Sequence, residues 1–353
     1  MKNITLLLTF LLTSLTASAA DVSTYIVNGT TATASDYPAY VTLFYYREYS
    51  GGYTYGMYCG GTMIDSTHVL TAAHCITDED SEPNESYLLY TVVAQVDELS
   101  DFPGNATYVQ AKSFYYPDDY EYSSTELWPN DIAVITLESS LNVSGVVSLP
   151  SQDYDSYREN SDDTFITIGH GKTSSSSSTS NTLLQTEMDY VDNATCETDL
   201  ANINDSQLCF AGTSSGDSTT SLSSGVCSGD SGGPMYDTTD SSATGSGYLQ
   251  IGVTSFGPST CGQALGSSGV TGVFTEVSNY VDWINEVVAG SVTAKYTATD
   301  AKRASYSGSL DSSSSSDDDS SVSTTSSGGG GSAGVIGLMM LALIGLMRVN
   351  RRS

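Results

Sequence analysis

From Ile26 to about Gly290 the chain alternates short β-branched or aromatic runs with polar turns, a spacing that argues for an all-β barrel or sandwich. The runs are Tyr40–Tyr46, Val69–Ala72, Leu88–Val96, Ile132–Leu137, Phe165–Ile168, Leu249–Phe256 and Val270–Val277. One segment, Val277 to Val288, carries a helical stripe of Val277, Tyr280, Val281, Ile284 and Val287 or Val288, and is expected to close the domain as a terminal helix. Thr173–Ser180 and Thr213–Ser224 have no apolar periodicity and are expected as surface loops.

The flanks differ in kind. Residues 1–20 run from Lys2 through an apolar stretch to Ala17-Ser18-Ala19-Ala20, the order of a secretory signal peptide, so a mature chain is expected to begin near Asp21. After Gly290 the chain turns to Ser, Thr, Asp and Gly, and residues 291–331 are expected as a flexible linker. Residues 332–353 hold an uncharged run, Val335 to Met347, followed by Arg348, Arg351 and Arg352. At about 1.5 Å per residue that run is shorter than the roughly 30 Å hydrocarbon core, and reaches spanning length only with the preceding glycines. The arginines would stay on the cytoplasmic side.

Charge narrows the partners. The chain has 41 acidic and 11 basic residues, a formal net charge of −30. Within 26–290 the ratio is 35 to four, the four being Arg47, Lys112, Arg158 and Lys172. Such a surface suits salty or extracellular surroundings and argues against nucleic acid as a partner. Six cysteines (Cys59, Cys75, Cys196, Cys209, Cys227, Cys261) contain no Cys-x-x-Cys pair, so an exported chain is expected to form three disulfides and no metal site. No cofactor motif is present.

Gly229-Asp230-Ser231-Gly232-Gly233-Pro234 is the strongest chemical motif. Acyl transfer needs a nucleophile with free access to a carbonyl and backbone N–H groups that meet the oxyanion, and glycines beside a serine permit both. Ser231 needs a base, and the chain has three histidines, His68, His74 and His170. His74 follows a strand-like Val69-Leu70 and adjoins Cys75, which can pin the turn, whereas His68 and His170 are expected in packing or turn roles. The base needs a buried carboxylate, and Asp131 stands just before the apolar Ile132-Ala133-Val134.

Ile26-Val27-Asn28-Gly29, Thr71-Ala72-Ala73-His74-Cys75, Asn130-Asp131-Ile132-Ala133-Val134 and the Ser231 motif, in this order and approximate spacing, resemble the trypsin/chymotrypsin serine protease family. The resemblance covers Ile26 to about Gly290. It implies two packed six-stranded antiparallel β-barrels with a C-terminal helix, and a catalytic triad of His74, Asp131 and Ser231 in the cleft between them. It implies an oxyanion hole formed by the amides of Gly229 and Ser231, and disulfides pairing Cys59 with Cys75, Cys196 with Cys209 and Cys227 with Cys261. Ser255 resembles the serine that hydrogen-bonds the triad aspartate. Phe256, His68 and His170 stand where the family more usually has tryptophan.

The resemblance further implies a zymogen whose residues 21–25 are removed, so that the freed amine of Ile26 pairs with Asp230. The residue before that cut is Tyr25 rather than the usual Arg or Lys. Gly225 replaces the aspartate of trypsins, and with Val226, Gly257 and Gly272 it implies an open, uncharged pocket for an apolar or aromatic side chain. Self-cleavage after Tyr25 would be compatible with such a pocket. The expected partners are protein or peptide substrates. The tail, with Gly328–Gly331, the apolar run and the arginines, resembles the Gly-Gly C-terminal (rhombosortase-type) sorting signal of some Gram-negative bacteria. That likeness implies transient membrane association, processing by a rhomboid-like intramembrane protease and a secreted or cell-surface product. The competing reading is a non-catalytic binding or adhesion module on the same fold. An α/β-hydrolase is excluded because Ser231 is not in Gly-x-Ser-x-Gly and the order of the three residues is His, Asp, Ser.

Overall fold

The computed structural model describes residues 26–152, 154–158, 163–213, 222–239, 248–258, 260–262 and 269–306, together with the strand 323–326. The expected signal segment 1–20, propeptide 21–25 and C-terminal segment 332–353 lie outside the described residues, as does most of the expected loop 213–224. No described helix is long and apolar enough to cross a membrane.

A two-residue strand, β1 (Thr30–Thr31), precedes the first barrel. That barrel comprises β2 (Tyr40–Tyr49), β3 (Gly52–Met63), β4 (His68–Thr71), β5 (Thr91–Ala94), β6 (Tyr108–Tyr115) and β7 (Ala133–Leu137). The antiparallel order β6-β5-β2-β3-β4-β7 closes on itself through β6–β7 pairing. Closure removes the unpaired edges that an open sheet would expose. The β2–β3 hairpin turns at Ser50-Gly51, where Gly51 takes a φ of +109° that a residue with a Cβ resists.

The second barrel comprises β8 (Phe165–Gly169), β9 (Leu184–Val191), β10 (Gln207–Gly212), β11 (Pro234–Asp237), β12 (Leu249–Phe256) and β13 (Val270–Glu276). Its order β9-β10-β13-β12-β11-β8 closes through β8–β9, and β1 adds to β9. Each barrel has its own core: Val41, Leu43, Leu70, Phe114 and Ile135 in the first, Phe165, Phe210, Met235, Ile251 and Phe274 in the second. A further cluster of Tyr37, Tyr40, Val147, Ile168, Leu183 and Tyr236 draws residues from both barrels, with the Tyr37 and Tyr236 rings stacked at 5.8 Å.

Helices are few. Glu85–Leu88 forms α1, so the expected strand Leu88–Val96 shortens to β5. Leu88 and Leu89 are buried, and a short apolar run cannot by its periodicity distinguish a helix end from a strand. The helix α2 (Asn193–Asp199) is capped by Asp192, whose carboxylate accepts from the Thr195 amide. The terminal helix is present as a 3-10 turn, Val277–Tyr280, continuing into α3 (Val281–Val288). Val277, Tyr280, Ile284 and Val287 belong to the core of the first barrel.

The expected linker does not begin at 291. Residues 291–306 fold back on the first barrel as β14 (Tyr296–Thr297), antiparallel to β6, and α4 (Asp300–Ser305). Their polar composition conceals this, because main-chain bonds and cations rather than an apolar stripe hold them. A last strand, β15 (Ser323–Ser326), pairs with Gly52–Tyr55 of β3. The remainder of 307–331 lies outside the described residues.

Candidate functional site

Three segments converge between the barrels. His74 sits in a 3-10 turn, Ala73–Cys75, directly after β4, and the Cys59–Cys75 disulfide ties that turn to β3. Asp131 immediately precedes Ile132 and β7, after Asn130, whose φ is +60°. The Asn130 carboxamide donates to Asp119 O and accepts from the Tyr280 hydroxyl, which fixes the bend.

Asp131 is fully buried. Its Oδ1 accepts the His74 amide at 2.9 Å, and its Oδ2 faces His74 Nδ1 at 2.7 Å. The same Oδ2 accepts the Ser255 hydroxyl at 2.5 Å, and the Asp131 carbonyl accepts from Thr275 Oγ1 at 2.7 Å. A carboxylate in its ionised form only accepts, and facing one assigns the proton of a neutral imidazole to Nδ1. The sulfurs near His74 belong to the Cys59–Cys75 disulfide and are not thiolate ligands.

Ser231 is partly exposed, on the turn entering β11, and its carbonyl accepts the Gly60 amide at 2.8 Å. Glycines are required around it. Gly229 has φ +98° and Gly232 φ +74°, and a Cβ on Gly232 would lie 2.1 Å from Thr71 Oγ1 and 2.6 Å from Gly60 O. Among the described residues no acceptor meets the amide of Gly229 or Ser231.

Asp230 points the other way, into the second barrel. Its fully buried carboxylate accepts the amides of Gly171 at 2.8 Å and Cys227 at 2.9 Å, and no ion pair reaches it among the described residues. Burial pushes its carboxyl up to about 7, against the pull of those two bonds. The Ile26 side chain is fully buried, and Val27 bridges to Gly225.

His68 and His170 take supporting places. His68 Nδ1 lies 2.7 Å from Asp65 Oδ2 in a turn. His170 is buried, its nitrogens near the carbonyls of Ser180 (3.3 Å) and Val96 (3.4 Å), and burial lowers its pKa to about 4.

Of the expected pocket residues, Gly225 and Val226 line one cavity, and Gly257 and Gly272 lie against Val226. A cavity lined by Gly225, Val226, Thr271, Pro258 and Cys261 lies beside Val27. A Cβ on Gly225 would lie 2.8 Å from Thr271 Cβ and 3.0 Å from its Oγ1, so Thr271 occupies the space of a side chain at 225. Among the described residues the Thr271 hydroxyl has no hydrogen-bond partner. Val226 Cγ2 would be 3.0 Å from a Cβ on Gly272 and 3.5 Å from one on Gly257, so this valine sits against both glycines. Phe256 packs at a tilt against Trp128, ring centroids 5.2 Å apart. Trp128 and Thr271 carried no sequence signal, since each meets its partner only through the fold. The other two disulfides join Cys196 with Cys209 and Cys227 with Cys261.

A sequence model of the family Trypsin matches residues 26–284. The chain is 31% identical to a CLIP domain-containing serine protease B4 of Anopheles gambiae, over 74% of this chain and 69% of that protein. It is 30% identical to Trypsin-1 of Astacus astacus, over 73% of this chain and 98% of the relative. It is 31% identical to human chymotrypsin-like elastase family member 1, over 78% and 97%. With two closed six-stranded barrels, three disulfides and the His74–Asp131 pair beside the Ser231 turn, the chain belongs to the trypsin family of serine proteases.

Proposed function

We propose that the protein is a serine endopeptidase in which Ser231 is the nucleophile, His74 the general base and Asp131 its orienting carboxylate. The observation that carries this is the buried Asp131 carboxylate, held by the His74 amide, His74 Nδ1 and Ser255 together. It presents the Nε2 lone pair as the base that takes the Ser231 proton as Oγ attacks the substrate carbonyl carbon. The oxyanion is received by the amides of Gly229 and Ser231, each such donor being worth about 10² to 10³ in rate. Nε2–H then protonates the leaving amine, the C–N bond breaks, and water repeats the sequence on the acyl-enzyme.

The pocket supports a preference for apolar side chains. Gly225 brings no charge, and Val226 against Gly257 and Gly272 offers a methyl-lined floor. Activation follows the same logic. Cutting Tyr25–Ile26 would free an ammonium at a residue already buried in the domain that holds Asp230, and a cation there would draw the carboxyl down into its ionised form. The pocket suits Tyr25, so the cut is assigned to the enzyme itself. Residues 1–20 direct export, and the tail delivers a secreted or cell-surface product through transient membrane association and rhomboid-like processing. This last part rests on the sequence pattern alone.

The decisive experiment is labelling of the matured chain with an organophosphonate, alongside hydrolysis of peptide p-nitroanilides ending in Leu, Phe, Arg or Asp. Labelling at Ser231 and turnover of the apolar substrates are expected, with both lost in Ser231→Ala. An unlabelled, inactive matured chain would instead favour the binding-module reading. Purified Ser231→Ala precursor should remain uncut at Tyr25; its maturation in isolation would defeat self-processing.

A further inference from the structure

The folded unit extends past α3, and residues 291–306 do more than trail from it. The Lys295 amide donates to Phe114 O and the Ala298 amide to Lys112 O, each at 2.9 Å, so β14 satisfies β6 carbonyls. Ala298 is buried, and Val292, Tyr296 and Tyr306 pack on the core of the first barrel. Thr299 caps α4 by accepting the Lys302 amide.

Arg303 anchors the segment. Its Nε donates to Leu89 O at 2.7 Å and its Nη2 to Ala111 O at 3.3 Å. Both Nη atoms reach Glu138 Oε1 at 3.1 Å, and Nη1 reaches Asp300 at 2.8 Å, with the side chain only 15% exposed. One guanidinium therefore closes a seam between the end of α1, β6 and the residue after β7. The Arg47 guanidinium lies 4.8 Å from the Tyr90 ring and 5.6 Å from that of Tyr306. In a chain with 41 acidic and 11 basic residues, Arg47, Lys295, Lys302 and Arg303 are all spent on this one seam.

The segment spans two connections that matter. Residues 76–90 lead away from His74, and residues 116–130 lead into Asp131. On the first, Tyr296 OH donates to Glu85 at 2.9 Å and Arg303 holds Leu89. On the second, Lys295 pairs with Asp118 at 2.5 Å and lies 5.1 Å from the Tyr116 ring. The two connections also touch: Tyr116 OH donates to Ser81 O, and Thr77 Oγ1, which donates to Ala73 O, lies 3.4 Å from Tyr120 OH. The Lys295 pair, with Asp118 almost fully exposed, contributes little by itself. The shared β6 bonds and the partly buried Arg303 carry the effect.

We infer that residues 291–306 are a positioning strap for the His74–Asp131 pair, anchored by Arg303 and tied by Tyr296 and Lys295. The inference rests on the catalytic reading of that pair. Small displacements of a catalytic group are costly, since about 1 Å can lower the rate on the order of 10²-fold. Any cut that releases an active enzyme from its tail should then fall after Tyr306.

The test uses the full, matured chain, with rates expressed per organophosphonate-titrated site and measured well below the unfolding temperature. Arg303→Gln should lower kcat about three- to tenfold, leave KM of a short apolar substrate within about twofold and move the acid limb of the kcat–pH profile. Arg303→Lys should restore part of kcat. Per-site kcat and pH profile unchanged, with only a lower unfolding temperature, would reduce the strap to a clamp and overturn the inference. Should Arg303→Gln fail to fold, Tyr296→Phe and Glu85→Gln decide by the same criteria. A wild-type chain with no turnover would defeat the peptidase reading and the strap with it, whereas an active enzyme indifferent to all these changes defeats the strap alone.

Discussion

The Ser255 hydroxyl donates to Asp131 Oδ2, the oxygen that also faces Nδ1 of His74, so one carboxylate atom serves two partners from different barrels. Removing that hydroxyl in Ser255→Ala leaves a buried carboxylate one donor short. A hydrogen bond to a charged group is worth about 1.5 to 3 kcal/mol. The expected outcome is a fall in kcat/KM of roughly tenfold and a lower midpoint in urea unfolding, both measured on the matured enzyme.

Asp131→Asn tests the tautomer. Its amide would set a donor against His74 Nδ1 and push the proton to Nε2, which then cannot accept from Ser231. A loss of about 10⁴ in kcat is expected at pH 7 with little change in KM. A loss under tenfold, in steady-state kinetics with a titrated enzyme, would contradict the role given to Asp131.

Gly225→Asp should not produce an enzyme that cleaves after Arg or Lys. Thr271 already fills the space that the new side chain needs, with its Cβ 2.8 Å from the position of a Cβ at 225. The single variant is expected to lose activity toward apolar substrates without gaining basic ones. The pair Gly225→Asp with Thr271→Gly is expected to gain them, as kcat/KM ratios on Leu and Arg p-nitroanilides would report.

Asp230 predicts how the uncut precursor responds to pH. Its folded pKa is raised to about 7 by burial, while the unfolded carboxyl titrates near the ordinary 3.8. The folded chain therefore binds the extra proton between those values. The stabilisation is fully present below pH 3.8 and is lost as pH rises through 7, a difference on the order of 4 kcal/mol. Urea midpoints of the Ser231→Ala precursor should thus fall from pH 4 toward pH 7.5. Glu276, also raised to about 7, adds to the slope, so subtracting the Asp230→Asn series isolates Asp230. Chain cut at Ile26 should lose the Asp230 part.

Much of the site was legible because its chemistry is local. His74 beside Cys75, Asp131 before Ile132 and Ser231 among glycines each stand out within five or six residues, and the pairing of His74 with Asp131 required the fold. The outer strands were harder. β3 and β10 mix Tyr, Gly, Thr and Gln without clean alternation, because stretches buried on both faces lose the period that a half-exposed strand obeys, as β9 does in burying Leu184, Thr186 and Met188.

What the amino-acid sequence alone determined was which groups are present to react: one serine among glycines, one histidine beside a cysteine, no acid at 225. What tertiary structure decided was their surroundings. Thr271 fills the place of a side chain at 225, Trp128 meets Phe256, and Arg303 closes a seam whose carbonyls lie about 200 residues earlier. Residue identity is local and covalent, whereas burial and long-range pairing exist only once the barrels close, and those two effects set the ionisation of Asp230 and the hold on His74.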